Sequence, residues 1–364
     1  MEITAAMVKQ LREMTGAGVM ACKKALVETD GDFDKAIEVL REKGEATAVK
    51  KAGRIAAEGV VRAEVKDDKT GVIVEVNSET DFVAKNEKFG AFVSDVVEQV
   101  YATSTTTAEE LLAEKFVKDQ SKTVKEELVS QIAVIGENLT IRRFVKIESD
   151  GVVVPYIHGG GRIGVLVEAK ADVVNDTVKE ALKNVAMQIA AMNPQYIKRE
   201  DISADELASL RKITIESALN DPATLPKPVL SKLIEKAVND KVWSDEDIAI
   251  YEEKKNNMNY LFNFLSEDAK KGIISLAMAD KEAIVADKIF NGLVEGRISK
   301  QVKEISLFEQ VYVKAEDGKQ TVKAYLASVE PSLEVVNMVR YEVGEGIEKK
   351  QEDFAAEVAK QMGM

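Results

Sequence analysis

Val72-Ile73-Val74-Glu75-Val76-Asn77-Ser78-Glu79-Thr80-Asp81-Phe82-Val83-Ala84-Lys85-Asn86 decides how this chain is read, because its periodicity changes partway along. Val72 to Val76 is a short apolar run that can pair with Val60 to Val65 across Asp67-Asp68-Lys69-Thr70-Gly71, a β-hairpin signal. From Asn86, a good N-cap, Phe89, Phe92, Val93, Val96, Val97 and Val100 recur at helical spacing and supply a broad apolar face to pack on that sheet. The connection between strand and helix is polar except around Phe82. A phenylalanine there either tucks inward to staple the entry of the following helix or stands out as an exposed anchor, and spacing alone rates the two evenly. Asp81 reads as a turn or capping carboxylate.

Working outward, helices are expected over Ala108 to Lys118 and Thr123 to Ile135, then a strand from Leu139 to Ile147. A similar order recurs. Val152 to Ile157 and Ile163 to Ala169 form a second hairpin, and Val178, Leu182, Val185 and Ile189 mark a helix ending before Pro194. Its closing pieces lie far downstream: Val302 to Val313 as strand or loop, Thr321 to Ser328 as a short helix, Leu333 to Val343 as the last strand. The pattern is that of a duplicated α+β unit.

Ahead of the first hairpin stand three short helices. Thr4 caps the first, with Met7, Val8, Leu11 and Met14 on one face, and Gly16 and Gly18 stop it. The second runs through Ala25 and Leu26; the third starts at Asp32, carries Ala36, Ile37 and Leu40, and closes at Gly44. Between the parts of the second unit, Asp201 to Ile298 reads as a two-helix arm. Leu207, Leu210, Ile213 and Leu219 lead out, and Ile284, Val285, Ile289, Leu293 and Val294 lead back. Trp243, Tyr251, Tyr260, Phe262 and Phe264 between them suffice for a satellite cluster. After a hinge at Gly344-Glu345-Gly346, a final helix is expected with Phe354, Val358 and Met362 on one side. The expected domains are a helical module at 1–53, core subdomain one at 54–147, core subdomain two at 148–200 and 299–343, the insertion at 201–298, and a C-terminal helical module at 344–364.

Composition removes several function classes. The chain has 364 residues with a net charge of −13, which disfavours a phosphate-neutralising surface and direct binding of nucleic acid. With one cysteine, Cys22, no intramolecular disulfide can form, and with one histidine, His158, no zinc site of the usual nitrogen and sulfur ligands can be assembled. Neither metal nor cofactor is expected. The opening Met1-Glu2-Ile3-Thr4 runs straight into a helical pattern, and no apolar run approaches the roughly 20 residues that span a bilayer. The expectation is a cytoplasmic protein.

Catalytic motifs fail on context. Gly159-Gly160-Gly161-Arg162-Ile163-Gly164 satisfies G-x-G-x-x-G, but a dinucleotide fingerprint needs a helix after it, and here Ile163 to Val167 continues as a strand. His158-Gly159-Gly160-Gly161 is similar to a lipase oxyanion loop, without any G-x-S-x-G nucleophile elbow. No phosphate-binding G-x-x-x-x-G-K-[ST] is present. Cys22, next to Lys23 and Lys24, reads as a small packing residue in preference to a reactive thiol. His158 reads as a loop side chain able to serve as a contact. The chain is not expected to be an enzyme.

The letters then become specific. Met7 to Leu26, with Leu11-Arg12, Thr15-Gly16-Ala17-Gly18 and Cys22-Lys23-Lys24-Ala25-Leu26, together with Thr80-Asp81-Phe82-Val83-Ala84-Lys85, resembles the elongation factor Ts family. Ile135-Gly136-Glu137-Asn138, Ile141-Arg142-Arg143, His158-Gly159, Arg162-Ile163-Gly164-Val165, Val294-Glu295-Gly296-Arg297 and Val343 to Glu348 look like further family signatures in order. The resemblance implies an α+β fold. Its parts are an N-terminal module like ubiquitin-associated domains, two related α+β core subdomains, a helical coiled-coil insertion and a C-terminal helical module.

It also implies a guanine-nucleotide exchange factor that binds GDP-bound and nucleotide-free elongation factor Tu and promotes GDP release. Thr80, Asp81, Phe82 and Val83 match the family segment that disturbs magnesium and phosphate coordination in that partner, with Phe82 as the wedge. Leu11, Val19 and Met20 in the N-terminal helices, and His158 in the second subdomain, are implied further contacts. The enlarged insertion has a central part with no counterpart in shorter family members. Its role is left open between pairing two copies of this chain, extending the partner contact and standing as an extra lobe. The alternative from another class is a helical adaptor that binds a protein without altering its ligand.

Overall fold

Thr4 opens the first helix by accepting the Met7 amide on its hydroxyl, and Gly16 closes it in the left-handed conformation, φ 67°. The computed structural model describes residues 3–348. In it α1 (Ala5–Thr15), α2 (Val19–Glu28) and α3 (Phe33–Lys51) enclose a small core of Val8, Leu11, Cys22, Ala25, Leu26 and Ala36. The expected stop at Gly44 is not used. The third helix continues to Lys51 because Gly44 is buried against Val129 and Ala133 of a later helix, and that packing outweighs a penalty of about 1 kcal/mol for glycine inside a helix.

β1 (Glu58–Lys66) and β2 (Thr70–Ser78) pair antiparallel across a turn in which Asp67 and Asp68 both take positive φ, the left-handed pair whose twist suits a hairpin. A single turn, α4 (Asp81–Ala84), follows, then α5 (Glu87–Ala102), capped by Asn86 as its sequence suggests. The stretch read as one helix from Ala108 to Lys118 is α6 (Ala108–Ala113) and then a small hairpin of β3 (Lys115–Phe116) and β4 (Asp119–Thr123). Phe116 turns inward to the core there, and the Gln99 side chain ties down the extended backbone by donating to the Lys115 carbonyl and accepting the Val117 amide. α7 (Val124–Ile135) starts on a capping box of Thr123 and Glu126, ends at Gly136 with φ 85°, and leads to β5 (Thr140–Glu148), which pairs with β2.

The second unit repeats the plan. β6 (Val152–His158) and β7 (Ile163–Lys170) form a hairpin, α8 (Asp176–Met192) packs on it behind an Asn175 cap, and the last strand among the described residues pairs with β7. Even the irregularity is shared. In the first sheet the register shifts between Glu75 and Val76, leaving Arg142 as the extra residue; in the second it shifts between Glu168 and Ala169, leaving Val336. Mixed α+β architecture with two related halves is what the sequence pattern implied.

The two sheets stack. Val72, Val74 and Val76 face α5, α6 and α7 in one core, while their neighbour Ile73 joins Val61, Ala63, Ile147, Val153, Leu166, Tyr341 and Val343 between the sheets. Each hairpin tip grips the other unit: the Val61 amide donates to the Gly161 carbonyl at 2.7 Å, and the Val153 amide to the Asp68 carbonyl at 2.8 Å. Alternation also places Glu75 on this inner face. It is fully buried and accepts from the Gly344 amide, Asn77, Arg142 and Arg143.

Residues Pro194–Lys323 form a separate compact unit, in which the returning helix runs unbroken past Ile298. It contains α9 (Ala204–Asn220), α10 (Lys227–Asn239), α11 (Asp245–Lys254), α12 (Glu267–Ala279), α13 (Lys281–Ala286) and α14 (Lys288–Ile305). α9 and α14 pair as the outgoing and returning helices, with Arg211 bridging to Glu295 and Asn291. What reads as a satellite cluster is a full core around Leu219, Leu230, Leu233, Ile234, Trp243, Leu261, Ile273 and Phe290. The reading of Val302 to Val313 as strand or loop gives way in part to helix: α14 reaches Ile305, and a 3-10 turn spans Leu307–Glu309. After it come α15 (Val322–Val329) and β8 (Glu334–Glu342), the strand that completes the second sheet. The expected final helix with Phe354, Val358 and Met362 lies outside the described residues.

Candidate functional site

The candidate site is the connection between β2 and α5. Thr80 is the N-cap of α4, its hydroxyl accepting from the Val83 amide at 3.4 Å, and Asn86 caps α5 through the Lys88 amide at 2.9 Å. α4 is thus one helical turn held between two caps. Its four residues divide by face. Val83 is half-buried and packs on the core beneath α5, while Phe82 points away with 81% of its surface exposed. Asp81 is exposed and pairs with Lys85 one turn on at 2.7 Å; that lysine holds the Asp81 carboxyl below its ordinary value.

Glu137, just past the Gly136 cap of α7, supports this turn from below. Its carboxylate accepts the Glu79 amide at 3.1 Å, the Thr80 amide at 3.0 Å and the Thr80 hydroxyl at 2.6 Å. The tie is reciprocal, because Glu79 accepts the Asn138 amide at 2.6 Å. The chain joining α3 to β1 is woven in too. Arg54 donates to Glu79 at 3.3 Å, its carbonyl accepts from the Asn138 side chain at 2.8 Å, and Lys51 donates to the Gly136 carbonyl.

This geometry resolves the even choice at Phe82. Val83 performs the inward packing and Phe82 is the outward side chain. Thr80 faces inward as a cap. Sequence reasoning does not single out Glu137, since nothing in linear spacing sets residue 137 beside residue 80; its sole signal is membership of the run Ile135-Gly136-Glu137-Asn138.

The other candidates sit on separate elements. Val19 and Met20 are exposed on α2, Met20 next to Lys23, Lys24 and Val27 along a shallow apolar strip. Leu11 corrects the sequence reading: it is fully buried in the three-helix core, on the inward stripe of α1 with Val8, and presents nothing to a partner. His158 ends β6 exposed, its Nδ1 sharing a hydrogen bond with Tyr156 Oη at 3.0 Å. Gly159, Gly160 and Gly161 then turn the chain at φ 59°, 67° and 101° into β7, so the glycine-rich motif joins two antiparallel strands and leads into a strand where a dinucleotide fingerprint would open a helix. Cys22 is buried. Among the described residues no three His, Cys, Asp or Glu side chains are grouped to hold a metal ion, and no helix is long and apolar enough to cross a membrane.

A family model described as elongation factor TS matches residues 79–345, from Glu79 at the start of the candidate turn to the loop beyond β8. The chain belongs to the elongation factor Ts family. It is 43% identical over 367 residues to an elongation factor Ts of Clostridium botulinum (strain Eklund 17B / Type B), covering 99% of each chain. To that of Clostridioides difficile (strain 630) it is 41% identical over 363 residues, again with 99% of each covered. Alignments of this length run through the helical unit, so these elongation factor Ts relatives share its extra length.

Proposed function

We propose that this chain is a guanine-nucleotide exchange factor for elongation factor Tu, acting in translation elongation in the cytoplasm. The observation that carries the reading is Phe82, an aromatic ring held in solvent on a turn whose backbone is fixed at both ends. Rigid exposure suits a group that acts by entering another protein.

Exchange needs no covalent step. A factor that weakens nucleotide binding to its partner is itself bound more weakly by the nucleotide-loaded partner to the same degree. A ~10⁴-fold bias corresponds to about 5.5 kcal/mol. Burying a phenylalanine fully is worth roughly 1.5–3 kcal/mol, and with 81% of Phe82 exposed beforehand, roughly 1.2–2.4 kcal/mol remains to be gained on docking. Phe82 therefore needs other contacts that hold the distorted partner, and Val19, Met20 and His158 are the proposed ones. In this mechanism Phe82 enters beside the partner's magnesium site. The ion's strict octahedral shell tolerates little displacement, so a small shift loosens the phosphates. Asp81, tied to Lys85, seats the turn.

The test is release of a fluorescent GDP analogue from purified elongation factor Tu, followed by stopped flow. This chain should accelerate release in a concentration-dependent, saturable way. Binding without acceleration would instead identify an adaptor, and the exchange reading would be wrong.

A further inference from the structure

We propose that Glu137 is a positioning residue for exchange: its carboxylate fixes the turn that carries Phe82 at the angle needed to enter the partner. This rests on the reading of Phe82 as the wedge. Among the described residues, every hydrogen bond that the Glu137 carboxylate accepts comes from Glu79 or Thr80, the two residues that bring the chain into α4.

Four residues are far below the ~12–15 that make an isolated helix stable, so α4 takes its orientation from its ends. The trailing end is set by Val83 in the core and Asn86 on α5. The leading end is set by Glu137, because two consecutive amides on one carboxylate oxygen fix the direction in which the backbone leaves β2. Thr80 cannot do this by itself. Its hydroxyl caps α4 through the Val83 amide while donating to Glu137, so the cap is oriented by the same carboxylate. Among the described residues no hydrogen bond links Glu137 to Phe82, and it acts through the geometry of Glu79 and Thr80.

The experiment uses the full chain and elongation factor Tu bound to fluorescent GDP, with release measured across exchange-factor concentrations. Glu137→Ala should lower the saturating release rate by roughly 10- to 100-fold, the scale of a 1 Å misplacement. The half-saturating concentration, set by the other surfaces, should change little. Glu137→Gln should recover most of the rate, since its carbonyl can accept both amides and its NH₂ can donate to Thr80 Oγ1. Hydrogen exchange at the Glu79 and Thr80 amides should speed up in Glu137→Ala and not in Phe82→Ala.

The two roles separate cleanly. If Phe82→Ala releases nucleotide at the wild-type rate, Phe82 is not the wedge and Glu137 has nothing to position. If Phe82→Ala is slow while folded Glu137→Ala is as fast as wild type, the positioning role alone is overturned. The double variant should be no slower than Phe82→Ala; a loss that multiplies in full would also overturn the role. Should the alanine variant fail to fold, Glu137→Asp, which keeps the charge but withdraws it by one methylene, gives the same comparison.

Discussion

Replacing Glu75 by alanine should weaken the junction between the two sheets of the core. Glu75 is fully buried, and its carboxylate meets Arg142 at 2.9 Å, Arg143 at 2.6 Å, Asn77 at 3.1 Å and the Gly344 amide at 2.8 Å. Gly344 itself is held at φ 71° with the Ala57 carbonyl where a Cβ would stand, so its backbone is closely packed at the point where its amide meets Glu75. Removing one partner of a buried ion pair costs about 3–5 kcal/mol. The arginine side chains keep 25% and 29% of their surface exposed and can recover some hydration, which points to the lower end, about 3 kcal/mol. For a unit of this size that is a fall of about 6–12 °C in melting temperature, at about 2–4 °C per kcal/mol.

The pH dependence has a definite sign. Burial pushes the Glu75 carboxyl up, but the Gly344 amide, Arg142, Asn77 and Arg143 together outweigh it, and the net value lies below the ordinary 4.5. A depressed carboxylate contributes stability that is complete above the unfolded value and is lost as pH falls through the folded one. Calorimetry of wild type and Glu75→Ala from neutral pH downward should therefore show a large difference near pH 7 that shrinks below about pH 4. Equal melting at pH 7, or a difference that grows with acid, would refute the account of Glu75 as an ionised link between sheets.

Three further outcomes are expected. Phe82→Ala should change folding stability by only about 0.3–0.6 kcal/mol, the buried fifth of a phenylalanine, as measured by chemical denaturation. Leu11→Ala should destabilise the three-helix module by about 2–5 kcal/mol, and a thiol reagent should then modify Cys22, which wild type shields. Asp247 accepts Ser244 Oγ at 2.6 Å and both the amide and hydroxyl of Ser266 at 2.9 Å, joining the starts of α11 and α12. Asp247→Ala should weaken the helical unit by about 1–3 kcal/mol, read by the fluorescence of Trp243, which is buried in that unit with its indole N–H on the Ala269 carbonyl.

How much was legible follows from where each signal originates. The first hairpin and α5 could be read because strand alternation and the Phe89-to-Val100 stripe are local records of which face is buried. The extension of α3 past Gly44 could not, since the reason for it is a contact with Val129 and Ala133. Lys115 to Thr123 is mostly polar, and its hairpin depends on the burial of Phe116 and on the distant Gln99 side chain that bonds Lys115 and Val117. Leu11 shows how far a helical stripe goes: it gives the apolar face, and the fold decides that Leu11 is enclosed while Met14 of the same stripe stays exposed. The aromatic-rich centre of the insertion announced a core, while its arrangement depends on pairings between distant helices. At the candidate turn the sequence carried Phe82 but not the support beneath it, because Glu137 reaches Thr80 only through the folded end of α7.

The placement of β8 has a consequence for synthesis of the chain itself. β7 ends at Lys170 and its partner β8 begins at Glu334. At about 5–20 residues per second, roughly 10–30 s pass between the emergence of the one and of the other. Through that interval Val165, Leu166 and Val167 present an unsealed strand edge, the kind of surface that recruits foreign strands. The first sheet, whose strands all lie between Glu58 and Glu148, meets no such delay. The nascent second half is therefore where a chaperone holding this polypeptide would be needed, and where an early stop codon would leave an aggregation-prone fragment.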